Sequence, residues 1–250
     1  MSFTDHFQGK SPLEHLKEAR QKGKLASQEV HGQEMPGHLF AFADSAKETA
    51  AAILILWTIA FQLSFSTFQV MGILLLFSSA WLIWKTCRSA LLGWSRLERL
   101  HRLIEEERWE IEHHRHQERE ELTELYLAKG FSGKLLEEVV QVLMADDNRL
   151  LRVMLEEELG LSLETHVHPL KQALGAAIGV LISTSLALCG YLFNPLLGIP
   201  LTALFILIGA SITASKLEKN RLLPAMIWNV ASVALSCAAV FFAVQLFFKK

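Results

Sequence analysis

Residues 105–125, EEERWEIEHHRHQEREELTEL, are dense in carboxylates and imidazoles. Carboxylate oxygens are hard ligands for divalent cations, and imidazole or thioether groups move a site toward transition metals. The same composition also makes an ordinary solvated helix, so the arrangement has to decide. An α-helix advances about 100° per residue. With Glu107 at zero, Glu110 falls near about 300°, His114 near 340°, Glu118 near 20° and Glu121 near 320°. All five lie within an arc of roughly 80°. The step from Glu107 to Glu118 is close to a whole number of turns, so the pairs Glu107/Glu110 and Glu118/Glu121 stack along the axis.

The apolar residues of the same helix share that side. Leu100, Leu103, Ile104, Ile111, Leu122 and Leu125 fall between about 320° and 60°. The acidic stripe therefore overlaps the packing face, while Glu105, Glu112 and Arg115 point elsewhere. Carboxylates gathered on a packing face repel one another and lose water. Arg108 and Arg119 project near about 100° and 120°, away from the stripe. A divalent cation would compensate directly; a partly buried acidic helix without an ion is the plain alternative, and the wheel leaves both open. Further on, Met154 and Glu158 form an i, i+4 pair. A thioether and an imidazole favour Fe²⁺, Mn²⁺ or Zn²⁺ over Mg²⁺ and Ca²⁺, although a helical Met is most often core. His113 and His116 lie off the stripe and read as solvent-facing or pH-tuning groups.

These residues must be positioned by elements that the rest of the chain defines. More than half of the 250 residues are hydrophobic, and the net charge of −2 gives no basic surface for nucleic acid. Thr49–Trp84, Gln172–Ser215 and Leu222–Phe248 contain no charged side chain. A bilayer core takes about 20 apolar residues per helix. The first two runs are each about twice that length and predict helical hairpins, turning near 65–69 (FSTFQ) and 194–200 (NPLLGIP); the third predicts one span. Five spans result. Lys and Arg fall in 10–47, 85–171 and 216–221, all on one side of such a layout. The positive-inside tendency then puts the N-terminus and residues 95–170 in the cytoplasm and the C-terminus opposite. Cys87, Cys189 and Cys237 lie in or beside spans and are expected to be small buried thiols.

The expected organisation is a cytoplasmic N-terminal segment (1–48), two membrane helices (49–94), a cytoplasmic helical domain (95–170) and three membrane helices (171–250). The first segment predicts a short amphipathic helix over 11–25, opened by Ser11 and Pro12 with Leu13 and Leu16 on one face, and then a linker over 26–40. The inserted domain predicts three helices. The first continues out of the second span without a break and stops at Lys129–Gly130. The second covers about 133–144 and the third about 148–159, ended by Gly160. Its core is thin, and packing against a second copy would enlarge it.

EREELTELYLAKGFS at 118–132 and VLMADDNRLLRVMLEEELGL at 142–161 resemble the vacuolar iron transporter family. The resemblance implies five spans with a metal-binding domain between the second and third. It also implies a metal set in which Glu107/Glu110 and Glu118/Glu121 match two Glu-x-x-Glu pairs, and Met154 and Glu158 match the last helix, with Leu155 where a second Met would stand. It implies a homodimer in a lipid bilayer that moves Fe²⁺ or Mn²⁺ out of the cytosol against protons. Family members usually carry acidic residues in the first two spans. Here FADSAKETAAAI offers only Asp44 and Glu48 at the cytoplasmic edge, and Gln62, Gln69 and Met71 read as packing or interface. A metal-binding protein that senses or serves structurally, without a transport path, is therefore the second expectation. A bacterial plasma membrane is the expected location, and a vacuole-type membrane fits the same topology. No nucleophile elbow, phosphate loop or zincin spacing points to an enzyme.

Overall fold

A computed structural model describes residues 14, 17, 18, 21, 37–161, 168–217 and 220–248. Every regular element among them is helical: α1 (Gly37–Gln62), α2 (Thr67–His113), α3 (Arg115–Ala128), α4 (Gly133–Met144), α5 (Asp147–Val153) running into a π-helical turn (Met154–Glu158), α6 (Pro169–Phe193), α7 (Gly198–Leu217) and α8 (Leu222–Phe248). The chain divides into two compact units. One comprises 1–31 and 95–166, the other 32–94 and 167–250. The predicted amphipathic face of Leu13 and Leu16, and residues 26–36 of the predicted linker, lie outside the described residues. Residues 37–40, expected as linker, instead form the first turn of α1.

The second unit is the apolar one. Four helices are long and apolar enough to cross a membrane: α2, α6, α7 and α8. α1 has 26 residues, but Asp44, Lys47 and Glu48 occupy its first half. The first hairpin turns over residues 63–66 and the second over 194–197, close to the expected turns. Ser66 and Gln69 close the start of α2 as a capping box. The Ser66 N–H donates to Gln69 Oε1 at 2.9 Å, and the Gln69 N–H faces Ser66 Oγ at 3.4 Å. Gln62 is buried and Met71 packs with the buried cluster around Ile53 and Leu74, in keeping with their reading as packing residues.

Small residues allow α1 to lie close to other helices. Gly175 and Gly179 form a GxxxG step on α6, and a Cβ at either would collide with the His38 or Phe42 carbonyl of α1. Such steps let backbones approach where no hydrophobic effect drives helices together in lipid. Ala43, Ala46 and Ala50 of α1 pack on Ala203, Ile206, Ala210 and Ala214 of α7. Ser183 Oγ donates across to the Ala46 carbonyl at 3.1 Å. α8 buries only Val244, and Leu223, Trp228, Leu235 and Phe247 are more than two-thirds exposed, as suits a helix covered by lipid. The three cysteines are free, but Cys87 and Cys189 are exposed on the protein surface and Cys237 is only half-buried, not buried as expected. Their helices turn those positions outward, where a thiol behaves as a small apolar group.

Candidate metal centre

The first unit is organised around one core. Leu100 and Ile111 of α2, Leu122 of α3, Val140 of α4, and Leu150, Leu151, Met154 and Leu155 of the last helix pack together. Four of the wheel's packing-face residues, Leu100, Ile111, Leu122 and Leu125, are at most 3% exposed. α4 covers the residues expected of it, with Leu136 and Val140 buried. α3 stops at Ala128, and Gly130 follows at φ 96°, the left-handed position that ends many helices.

The long first helix does not run unbroken to Ala128. His114 has φ −123° and ψ 31°, so α2 ends at His113 and α3 starts at Arg115. The helical count survives this break. His114 N–H donates to the Glu110 carbonyl (2.7 Å) and Glu118 N–H to the His114 carbonyl (3.2 Å), both i→i−4. The His113 ring lies at the break, its Nδ1–H donating to the Trp109 carbonyl at 2.8 Å while the ring stacks on Trp109. A side chain inserted into the backbone ladder is a common cause of such a kink.

Each predicted site residue has a definite place. Glu107, Glu118, Glu121 and Glu158 are 4%, 1%, 1% and 2% exposed, and Met154 is fully buried. Glu110 and His114 are half-buried at the edge of the same face. Burial pushes the Glu118 carboxyl up to about 10, and the charges of Glu107, Glu121 and Glu110 push the same way. Burial likewise raises Glu158 well above the usual carboxylate range, helped by Glu107, Glu121, Glu118 and Glu110. Acids on three helical segments therefore sense one another inside one core. Among the described residues, no three His, Cys, Asp or Glu side chains are already drawn together as a ligand set. The acidic side chains would have to turn toward a common point to coordinate an ion.

The last helix brings Met154 and Glu158 inward through an unexpected device. Its α-helical part ends at Val153, and Met154–Glu158 forms a π turn in which the Leu159 N–H donates to the Met154 carbonyl at 3.1 Å. A wider turn offsets the drift of residues spaced by four along an α-helix, so 150, 154 and 158 all remain buried, as do 151, 155 and 159. Lys129 pairs with Glu157 at 2.5 Å and ties this turn to the end of α3. Arg115, expected on open surface, reaches Asp147 (2.5 Å) and the Met144 carbonyl (2.6 Å). Arg149 reaches the Val142 carbonyl at 2.9 Å. Two guanidinium groups thus cap the C-terminal end of α4, where bare carbonyls favour cations. Sequence periodicity gave no sign of these contacts, because they depend on where a neighbouring helix ends.

An all-helical chain with four apolar membrane-length helices and a separate unit that buries a set of carboxylates defines an integral membrane protein equipped to handle a cation. The sequence profile of the VIT family matches residues 93–245. The chain belongs to the VIT family, the vacuolar iron transporters, and so to membrane metal-ion transporters rather than to enzymes. A comparison with individual curated proteins returns no significant match.

Proposed function

We propose that this protein is a homodimeric transporter that moves Fe²⁺ or Mn²⁺ out of the cytosol in exchange for protons. One observation carries the reading: Glu107, Glu118, Glu121 and Glu158 are enclosed with Met154 in the core of a small helical unit. Uncompensated burial of so many acids is costly, and a doubly charged ion offsets it most directly. Glu110 and His114, at the rim, would receive the ion, and Met154 would bias the set toward Fe²⁺, Mn²⁺ or Zn²⁺. The raised pKa values fit proton exchange, since a carboxyl must give up its proton to bind metal. In this reading α1 is the fifth span, crossing with its uncharged half from Thr49 to Gln62. Residues 95–170 and the N-terminus are cytoplasmic, a second copy lies against the first in a lipid bilayer, and a bacterial plasma membrane is the default location.

The test is uptake into proteoliposomes with Fe²⁺, Mn²⁺ and Zn²⁺ run in parallel, beside the E118Q/E158Q variant. Uptake that alkalinises or acidifies the lumen in step with metal, and that the variant loses, supports the proposal. No uptake above empty vesicles refutes transport. A second reading, binding without transport, is favoured by one specific feature. Among the described residues of the membrane unit the only acids are Asp44 and Glu48, so the path offers an ion few charged steps. Calorimetric binding without flux would select it.

A further inference from the structure

Glu48 and Lys85 bound the uncharged run Thr49–Trp84 at its two ends. The α1–α2 hairpin returns them to the same level, with Lys85 Nζ 2.5 Å from Glu48 Oε2. A lysine at the end of a span can ordinarily extend its ammonium into the headgroup region at little cost. Lys85 does not: its side chain is 7% exposed, whereas that of Glu48 remains 39% exposed. The buried partner of the pair is thus the cation, and the carboxylate keeps an open side. Next to the pair the lining stays polar. Trp81 Nε1–H donates to Thr49 Oγ1 at 3.1 Å, and the fully buried Thr49 hydroxyl donates to the Ser45 carbonyl at 2.6 Å. The other described acid of this unit, Asp44, has the Lys47 ammonium 4.0 Å away.

We propose that Lys85 is a built-in cation that occupies Glu48 and latches the hairpin, so that a divalent ion takes this carboxylate only by displacing the ammonium. The chemistry is competition at one anion. An intramolecular ammonium holds its place at high effective concentration, and a divalent cation, with twice the charge, gains more from a carboxylate at the edge of a low-dielectric region. The device makes Glu48 a weak, conditional stop, which lets an ion leave as readily as it arrives. It extends the transport reading only in the identity of the ion, and it is tested by binding rather than by flux.

The experiment counts Mn²⁺ bound by the full-length protein in detergent, in an E118Q/E158Q background that removes the acids of the other unit. We expect K85M to add about one Mn²⁺ per chain over its parent, K85R to add none, and K85M/E48Q to lose the added ion. A folded K85M that binds no more Mn²⁺ than its parent overturns the proposal. The wild-type chain supplies a second reading that needs no variant to fold. Acylation of Lys85 by an amine-reactive ester, followed by peptide mass spectrometry, should speed up several-fold in millimolar Mn²⁺, with Mg²⁺ and added salt as controls. Labelling that Mn²⁺ leaves unchanged overturns it equally. Should Mn²⁺ binding behave as expected while proteoliposomes show no flux, the latch stands and the transport reading fails.

Discussion

Metal binding to this protein should be a proton-release reaction. At neutral pH, Glu118 holds its proton because burial and three neighbouring acids push it up to about 10, and Glu158 is raised by the same causes. A carboxyl oxygen that is to coordinate an ion must first lose its proton. Mn²⁺ binding at pH 7 is therefore expected to release about two protons per ion, one from each of these groups. Each released proton steepens the apparent affinity by about tenfold per pH unit, so binding should tighten up to about 100-fold between pH 6 and pH 7, or roughly 2.7 kcal/mol. Titration calorimetry in two buffers of very different ionisation enthalpy gives the proton count directly, and the same titration at pH 6, 7 and 8 gives the slope. E118Q and E158Q should each lower the count by about one. Binding that releases no protons and holds one affinity from pH 6 to 8 would refute the reasoning, because the ion would then be held by groups other than the buried acids.

The ion-free protein should lose stability as pH rises. A folded-state pKa above the unfolded value of 4.5 means that folding favours the protonated carboxyl, so Glu118's contribution is complete below that value and is lost progressively toward about 10. The slope is at most about 1.4 kcal/mol per pH unit for each such group, so thermal melts should fall from pH 6 to pH 9 without metal and flatten with saturating Mn²⁺. Met154 is fully buried. M154A should cost about 2–5 kcal/mol by cavity formation. M154L should cost less than about 1.5 kcal/mol while reducing the preference for Fe²⁺ over Mg²⁺ in competition binding. R115A removes contacts to Asp147 and the Met144 carbonyl. It should lower stability by about 0.5–1.5 kcal/mol and leave Mn²⁺ affinity unchanged, since Arg115 points away from the acidic face. G179L should abolish assembly of the membrane unit, read as loss of monodisperse protein in detergent, because the site faces the Phe42 carbonyl.

What the sequence disclosed and what it hid differ in kind. Long uncharged runs marked the membrane helices directly, since lipid solvation depends on composition over a whole segment and little else. α1 is the case in which that signal weakens, because Asp44, Lys47 and Glu48 share the helix with its apolar half. The acidic stripe was legible because a wheel tests one local geometry. It survived the break at His114 because the backbone there keeps its i→i−4 bonds on both sides of that residue. Contacts made between elements left less trace. The capping of α4 by Arg115 and Arg149 depends on where another helix ends. The π turn at Met154–Glu158 could have been suspected from the doubled spacing of apolar and acidic residues by four, 150/154/158 and 151/155/159, which no single α-helix keeps on one side. The GxxxG step at Gly175 and Gly179 was readable as a motif, but only the fold names α1 as its partner.

The two units treat acids in opposite ways, and the contrast bears on how an ion could be passed along. In the first unit the carboxylates are enclosed together, so their mutual repulsion and lost hydration favour either protons or a divalent ion. In the membrane unit Glu48 is matched by the chain's own ammonium and Asp44 has one nearby, so neither pays for an absent ion. The first arrangement stores a free-energy demand for a cation; the second removes it. An ion would therefore meet strong capture in the first unit and weak holding in the second, the order required for uptake at low concentration followed by release. Tight sites along a span would halt an ion there, since conduction needs binding weak enough to leave. The scarcity of acids in the spans, which on composition alone argues against a path, is on this view what a path fed by a strong collecting site requires.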